Sequence, residues 1–364
     1  MGALITRSGA AAALYEGCYR FLGARRGGLA MATIAACGGF SAVCGSSIAT
    51  AATMARVAMP EMRRFGYADS LAAGAVAAGG TLGILIPPSV ILVVYGIQTG
   101  TDIGSLFIAG VVPGLLGILL YIAAIAVVTR IDPSLGPPGD RFPWRARLAG
   151  LVGTGPILAL FLLVILGIYF GWFTPTEAAG IGAAGAFAIA ILSRRLTVRS
   201  FVDSLFETAR TTANLFFVLI GAIVFSNFMN VTGLPRLLTD LVTGWELTPL
   251  SVILLVALVY VVLGCFMESL SMVLLTVPVF FPVAVALGYD PIWFGIFVVV
   301  VTELSLVTPP VGLNLFVIKS VIREISIGTI YRGVVPFIAA DIARLALLIA
   351  VPALALFLPG LMVR

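Results

Sequence analysis

The oxygen-bearing residues of this 364-residue chain gather where apolar runs are interrupted. One group is Gly45-Ser46-Ser47. A second lies in Thr81-Leu82-Gly83-Ile84-Leu85-Ile86-Pro87-Pro88-Ser89, and a third comprises Glu268, Ser269 and Ser271. A fourth runs from Thr302 through Glu303, Ser305, Thr308, Pro309, Pro310 and Gly312 to Asn314. Hydroxyls, carboxylates and backbone carbonyls freed at unwound turns are the ligands that hard cations such as Na⁺ prefer. Candidate cation ligands in the first half are Gly45, Ser46, Ser47, Thr81, Gly83 and Pro87. In the second half they are Ser269, Glu303, Ser305, Thr308, Pro309 and Gly312. Helix N-termini beside such breaks present positive dipole ends, which suit an anionic substrate. Ser46, Ser47, Glu268, Ser269, Ser271, Thr308 and Asn314 are the candidates for contacting it. Gly and Ser also permit close helix packing, so a single one of them carries either meaning. Glu268 and Glu303 lie deepest in apolar sequence, where an ionisable group is a functional hypothesis by default. Each could neighbour a cation, carry a proton, or cap a helix end in a solvated cavity. Asp341 and Arg344, three residues apart, read as a structural pair.

These residues need a membrane-spanning frame. The chain is 61% hydrophobic and 10% charged, whereas soluble domains carry roughly a quarter charged residues. It is therefore expected to be an all-α, polytopic membrane protein. The absence of His removes His general bases, metal ligands and proton relays. Cys18, Cys37, Cys44 and Cys265 show no CxxC spacing and read as small buried hydrophobes. No nucleophile–base pair or metal-ligand cluster is apparent, so an enzyme is not expected. The net charge of +5 comes from twenty Arg and one Lys, clustered in loops. That pattern signals topology rather than nucleic-acid binding.

Two apolar segments, 68–95 and 291–318, are long enough to cross a bilayer, yet each contains a Pro pair. Proline removes an N–H donor and pushes its predecessor out of helical geometry, so both segments should break. Residues 29–57 carry Gly45-Ser46-Ser47 midway, with basic clusters at both ends. The positive-inside bias places both clusters on one side, which a re-entrant hairpin with its tip near 44–48 satisfies. Residues 250–283 form a second hairpin candidate. Between the hairpins, 68–95, 105–129, 148–170, 177–193 and 211–229 read as crossings. Residues 10–27 and 198–209 read as interfacial helices, 230–248 as a loop bearing Arg236, Asp240 and Glu246, and 335–358 as a last span. Arg130, Arg194 and Arg195 then fall in loops on one side, and the C-terminus is expected to be periplasmic. The expected organisation is an interfacial helix or scaffold remnant (1–28), a first transport repeat (29–129), linker and scaffold helices (130–249) and a second, inverted repeat (250–364).

The halves resemble each other at an offset of 222 residues. Pro87-Pro88 meets Pro309-Pro310, Ser47 meets Ser269, Pro60 meets Pro282, and Gly66-Tyr67 meets Gly288-Tyr289. With one inserted residue, Gly110-Val111-Val112-Pro113 meets Gly333-Val334-Val335-Pro336. Five crossings between the hairpins, an odd number, turn the repeats upside down relative to each other. Inverted repeats with broken helices are a signature of secondary transporters.

Gly80-Thr81-Leu82-Gly83-Ile84-Leu85-Ile86-Pro87-Pro88-Ser89 and Thr308-Pro309-Pro310-Val311-Gly312-Leu313-Asn314 resemble the two signature runs of the large permease subunit of tripartite ATP-independent periplasmic (TRAP) transporters, the DctM-like family. Gly45-Ser46-Ser47-Ile48-Ala49-Thr50 and Leu274-Leu275-Thr276-Val277-Pro278 are similar to its two hairpin regions. The resemblance covers essentially the whole chain. It implies an elevator-type, Na⁺-driven carrier in the bacterial inner membrane, with two or more Na⁺ sites at hairpin tips and helix breaks. It also implies a small four-helix membrane subunit, a periplasmic substrate-binding protein, and an organic anion such as a C4-dicarboxylate or sugar acid as cargo. Further N-terminal spans are expected from the family. Glu268 stands where many members carry Asp. A self-contained Na⁺/carboxylate symporter and a channel module are the alternative readings.

Overall fold

The computed structural model describes residues 1–193, 196–244 and 248–362; Arg194, Arg195 and Glu246 lie outside them. Helices α1 (Gly2–Arg7) and α2 (Ala10–Leu22) precede α3 (Gly28–Cys44) and α4 (Ser47–Arg64), which pack together and turn at Gly45-Ser46. The broken segment is α5 (Asp69–Thr81), a 3₁₀ turn at Leu82–Ile84, and α6 (Val90–Thr99). Helices α7 (Ile103–Ile131), α8 (Trp144–Tyr169), α9 (Pro175–Leu192), α10 (Val198–Thr232) and α11 (Leu234–Gly244) follow. The second hairpin is α12 (Pro249–Gly264) and α13 (Ser269–Ala286). The second broken segment is α14 (Pro291–Val307) and α15 (Leu313–Val321), and α16 (Ile327–Ala350) and α17 (Ala353–Gly360) end the chain. Both proline pairs are cis.

Three expected boundaries differ. An interfacial helix at 198–209 and a span at 211–229 are one continuous helix, α10, because no Gly or Pro between 198 and 220 stops it. The expected loop 230–248 contains α11. The expected span 335–358 starts earlier, at Ile327, and divides at Val351-Pro352, where proline disfavours helical geometry in the residue before it and Val351 takes φ -131° and ψ 78°.

Among the described residues six helices are long and apolar enough to cross a membrane: α7, α8, α9, α10, α13 and α16. The apolar helices α3, α6, α12 and α14 have 17, 10, 16 and 17 residues. At 1.5 Å per residue none reaches the roughly 30 Å of a hydrocarbon core, as befits hairpin arms and half-helices.

The repeat is structural as well as sequential. Helices α4 and α13 are both 18 residues long and begin at Ser47 and Ser269. Both are followed by a glycine with positive φ, Gly66 at 76° and Gly288 at 86°. Packing is exchanged between the halves: α6 lies on α13, α15 lies on α4, and α5 lies on α16. The α5–α16 crossing is backbone-close, since a Cβ on Gly333 would stand 1.9 Å from the Ser70 carbonyl oxygen. Among the described residues two large apolar cores result, and each draws on both halves. One joins α3, α4 and α5 to Leu315 and Ile318 of α15 and Phe337 of α16. The other joins α12, α13 and α14 to Ile91, Leu92 and Tyr95 of α6.

Local capping fixes where several helices begin. Thr174 accepts from the Glu177 amide, and Glu177 Oε2 accepts from the Thr174 amide at 2.8 Å, a reciprocal capping box. Thr174→Ala removes half of it and should cost about 1 kcal/mol, read as a lowered unfolding midpoint in detergent.

Candidate functional site: two hairpin tips against two helix breaks

The first tip rests on the first break. Helix α3 ends on Gly45 at φ 67°, the left-handed region that favours glycine. A Cβ on Gly45 would stand 2.9 Å from the Pro88 carbonyl oxygen. A Cβ on Gly83 would stand 2.8 Å from the Ser46 carbonyl oxygen and 3.1 Å from the Ser47 amide nitrogen. Gly45, Ser46, Ser47, Gly83 and the residues around Pro87 are thus neighbours, as the sequence spacing alone could not establish. The Ser46 hydroxyl accepts from the Ala49 amide and caps α4. Ser89 caps α6 by accepting from the Leu92 amide. Helices α4 and α6 therefore both start at this junction.

The second tip meets the second broken helix through Gly264, where a Cβ would stand 1.9 Å from Ser305 Oγ and 2.3 Å from its Cβ. Ser305 Oγ donates to the Thr302 carbonyl at 2.7 Å, and Thr308 Oγ1 donates to the Leu304 carbonyl at 2.6 Å. Thr81 Oγ1 likewise donates to the Ala78 carbonyl at 2.7 Å. Each hydroxyl proton is committed upstream, and the oxygen keeps lone pairs for a cation. Gly312, the residue before α15, has φ 56°. The buried Asn314 follows on α15, and neither its amide oxygen nor its amide nitrogen has a protein partner. A buried amide left unpaired is costly, which marks the start of α15 as a place for a ligand.

The two tips share one cavity of about 320 Å³. Ser46 and Ser47 line it from one side, and Glu268, Ser269 and Ser271 from the other. Glu268 accepts from the Ser271 amide and caps α13, and the Ser269 hydroxyl donates to Glu268 Oε1 at 3.3 Å. Val90 and Ile91 of α6 also line the cavity, so the first turns of α4, α6 and α13 all border it. None of its described lining residues is Lys or Arg; helix N-termini and hydroxyls are its means of holding an anion. A larger cavity of about 480 Å³ lies beyond Pro88-Ser89 but is walled mainly by apolar groups such as Val43, Val93, Phe107 and Val164. It lacks the converging polar groups that fix a ligand's orientation.

Not every candidate is gathered here. Thr308, Pro309, Gly312 and Asn314 are outside the shared cavity. Glu303 and Thr81 belong to a separate buried cluster. Arg344 Nη2 lies 2.5 Å from Glu303 Oε2 and 2.7 Å from Asp341 Oδ1, and the Tyr121 hydroxyl lies 2.7 Å from both Asp341 oxygens. The Asp341–Arg344 pair expected from spacing is present, with Glu303 and Tyr121 added. Sequence reasoning missed Thr211 and Asn214 of α10, which close the shared cavity. Their signal was available: two polar residues one turn apart at the head of an apolar run.

Residues 1–354 match the family described as "Tripartite ATP-independent periplasmic transporter, DctM component". The chain is 39% identical over 360 residues to the C4-dicarboxylate TRAP transporter large permease protein DctM of Pseudomonas aeruginosa, covering 99% of this chain and 84% of that protein. It is 34% identical over 362 residues to the sialic acid TRAP transporter large permease protein SiaM of Vibrio cholerae, covering 99% and 84%. To the ectoine/5-hydroxyectoine TRAP transporter large permease protein UehC of Ruegeria pomeroyi it is 32% identical, covering 98% and 83%. In fold it is similar to the crystal structure of the Alcanivorax borkumensis YdaH transporter, with TM-score 0.61 and 15% identity over 99% of this chain and 86% of that one.

Proposed function

We propose how this chain works from one premise: it belongs to the DctM component family of tripartite ATP-independent periplasmic transporters, and so is a large membrane permease subunit, not an enzyme. In our reading it imports an organic anion across the bacterial inner membrane and is driven by Na⁺. The observation that carries this is the meeting of both hairpin tips at one polar cavity, each tip also packed on a broken helix. One cation would sit among Gly45, Ser46, Ser47, Gly83 and the carbonyls around Pro87. A second would sit among Ser305, Thr308, Pro309, Gly312 and the unpartnered Asn314 amide. The substrate carboxylate would lie between the tips, held by the α4, α6 and α13 N-termini and by Ser46, Ser47, Ser269 and Ser271. Cations next to the cavity would offset the Glu268 charge there, so anion and Na⁺ would bind together.

Transport would follow the elevator pattern, the two repeats (hairpins, broken helices and the helices α7 and α16 packed on them) moving as a body past the linker and scaffold helices. A small membrane subunit would brace that frame, and a periplasmic binding protein would deliver the cargo. The relatives' names point to a C4-dicarboxylate or a related small solute. In our reading the positive-inside bias of the loops favours a periplasmic C-terminus.

The test is uptake into liposomes holding this chain and its small subunit, with cognate binding protein outside. An inward Na⁺ gradient should drive accumulation, and collapsing it should abolish accumulation. Ser47→Ala and Thr308→Ala should each raise the half-saturating Na⁺ concentration about tenfold, the effect of one lost ligand contact of 1.5 kcal/mol or so, with expression intact. Unchanged Na⁺ dependence in both variants would remove these residues from the cation sites.

A further inference from the structure

Within the buried cluster, the repeat itself pairs the residues. At the 222 offset Thr81 corresponds to Glu303; at the 223 offset that follows the inserted residue, Tyr121 corresponds to Arg344. Each pair of repeat mates bridges the same two kinds of element. Thr81 ends α5 immediately before the first break and lies 3.4 Å from the Tyr121 hydroxyl on α7. Glu303, on α14 just ahead of the second break, binds Arg344 on α16 at 2.5 Å. One contact is thus the counterpart of the other, hydroxyl to hydroxyl in the first half and carboxylate to guanidinium in the second.

The counterparts also touch each other. The Arg344 guanidinium carbon lies 5.9 Å from the centre of the Tyr121 ring. Asp341 accepts from Tyr121 across the halves while pairing with Arg344 in its own. Residues that contact their own repeat mates sit where the two halves abut. All the charged members are sealed off: Glu303, Asp341 and Arg344 are fully buried. The fit is tight, since a Cβ on Gly117 of α7 would stand 2.5 Å from Arg344 Nη1. Charge-assisted bonds in such a place are geometrically demanding, and a displaced partner leaves a buried charge unpaired.

We propose that Tyr121 and Arg344, with Thr81, Asp341 and Glu303, form a clasp between the halves that holds the two broken helices in mutual register, so that order at either break depends on both halves. These are positioning residues; none lines the cavity between the tips. The clasp gives the two cation sites a physical link, and in that respect the inference rests on the Na⁺-coupled reading above. Its own claim, that the breaks are ordered together, does not require Na⁺.

The test uses crossed effects. Tyr121→Phe keeps the ring and removes the hydroxyl that ties α7 to Asp341. Arg344→Lys keeps the charge but loses the planar fork. Hydrogen–deuterium exchange is followed at 82–89 and 308–312 in this chain purified with its small subunit. Tyr121→Phe, a change in the first half, is expected to speed exchange in the second break by about tenfold, the scale of one lost buried hydrogen bond. Arg344→Lys, a change in the second half, is expected to do the same at the first break. Each variant loosening only the break of its own half, or neither break, would overturn the clasp. Tyr121→Phe alone decides the matter should Arg344→Lys fail to fold. Uptake by the unaltered chain that ignores Na⁺ would sink the transport reading, while the exchange result would still judge the clasp.

Discussion

Gly83→Ala is expected to raise the Na⁺ concentration needed for half-maximal uptake by about 5- to 150-fold, the range set by a strain of about 1–3 kcal/mol at an overpacked contact. The new methyl group would lie 2.8 Å from the Ser46 carbonyl oxygen and 2.9 Å from its carbon. Those neighbours are backbone, so no side chain can swing aside. The tip must lift, carrying Ser46 and Ser47 away from the break and widening the proposed cation site. Gly221→Ala in α10, where a Cβ meets nothing within 4 Å, is the matched control and should leave Na⁺ dependence within about twofold, as surface substitutions usually do. Equal, small effects for the two variants would detach the tip–break contact from cation binding.

Gly264→Ala has the larger steric conflict, with Ser305 Oγ at 1.9 Å and Ser305 Cβ at 2.3 Å. It should destabilise the second tip by about 3 kcal/mol or more, the upper end for overpacking, and abolish uptake. The same clash provides its own remedy. Ser305→Gly removes the atoms in conflict, so Gly264→Ala combined with Ser305→Gly should recover most of the lost unfolding midpoint. Ser305 is also a proposed ligand, and the double variant should still need about tenfold more Na⁺ than the unaltered chain, the cost of one lost hydroxyl contact. Full recovery of stability together with normal Na⁺ dependence would leave Ser305 a packing residue only.

Much of this arrangement is legible in the sequence. Pro87-Pro88 and Pro309-Pro310 announce broken helices because two successive prolines cannot continue a regular one, and the helices do end at Thr81 and Val307. The hairpin tip at 44–48 followed from loop charges, and α3 and α4 turn at Gly45-Ser46. What periodicity could not supply was the partner of each element. Gly83 reads as a small residue in an apolar run, and only its approach to the Ser46 backbone gives it a role. Glu303 reads as a lone acid in apolar sequence, while its partner Arg344 lies 41 residues on. Long-range contacts of that kind leave no local pattern. The misread boundary at 198–229 has a different origin: a polar first half and an apolar second half looked like two elements, but nothing in the backbone separates them.

The central claim is that two oppositely oriented halves meet to build one site. Arg64 and Ala286 end the equivalent arms α4 and α13, 222 residues apart, and both are exposed. Single cysteines at these positions, in a background with Cys18, Cys37, Cys44 and Cys265 replaced, can be challenged with a membrane-impermeant thiol reagent from either side of sealed vesicles. The account predicts that Arg64→Cys is labelled only from the cytoplasmic side and Ala286→Cys only from the periplasmic side. Labelling of both from the same side would contradict it.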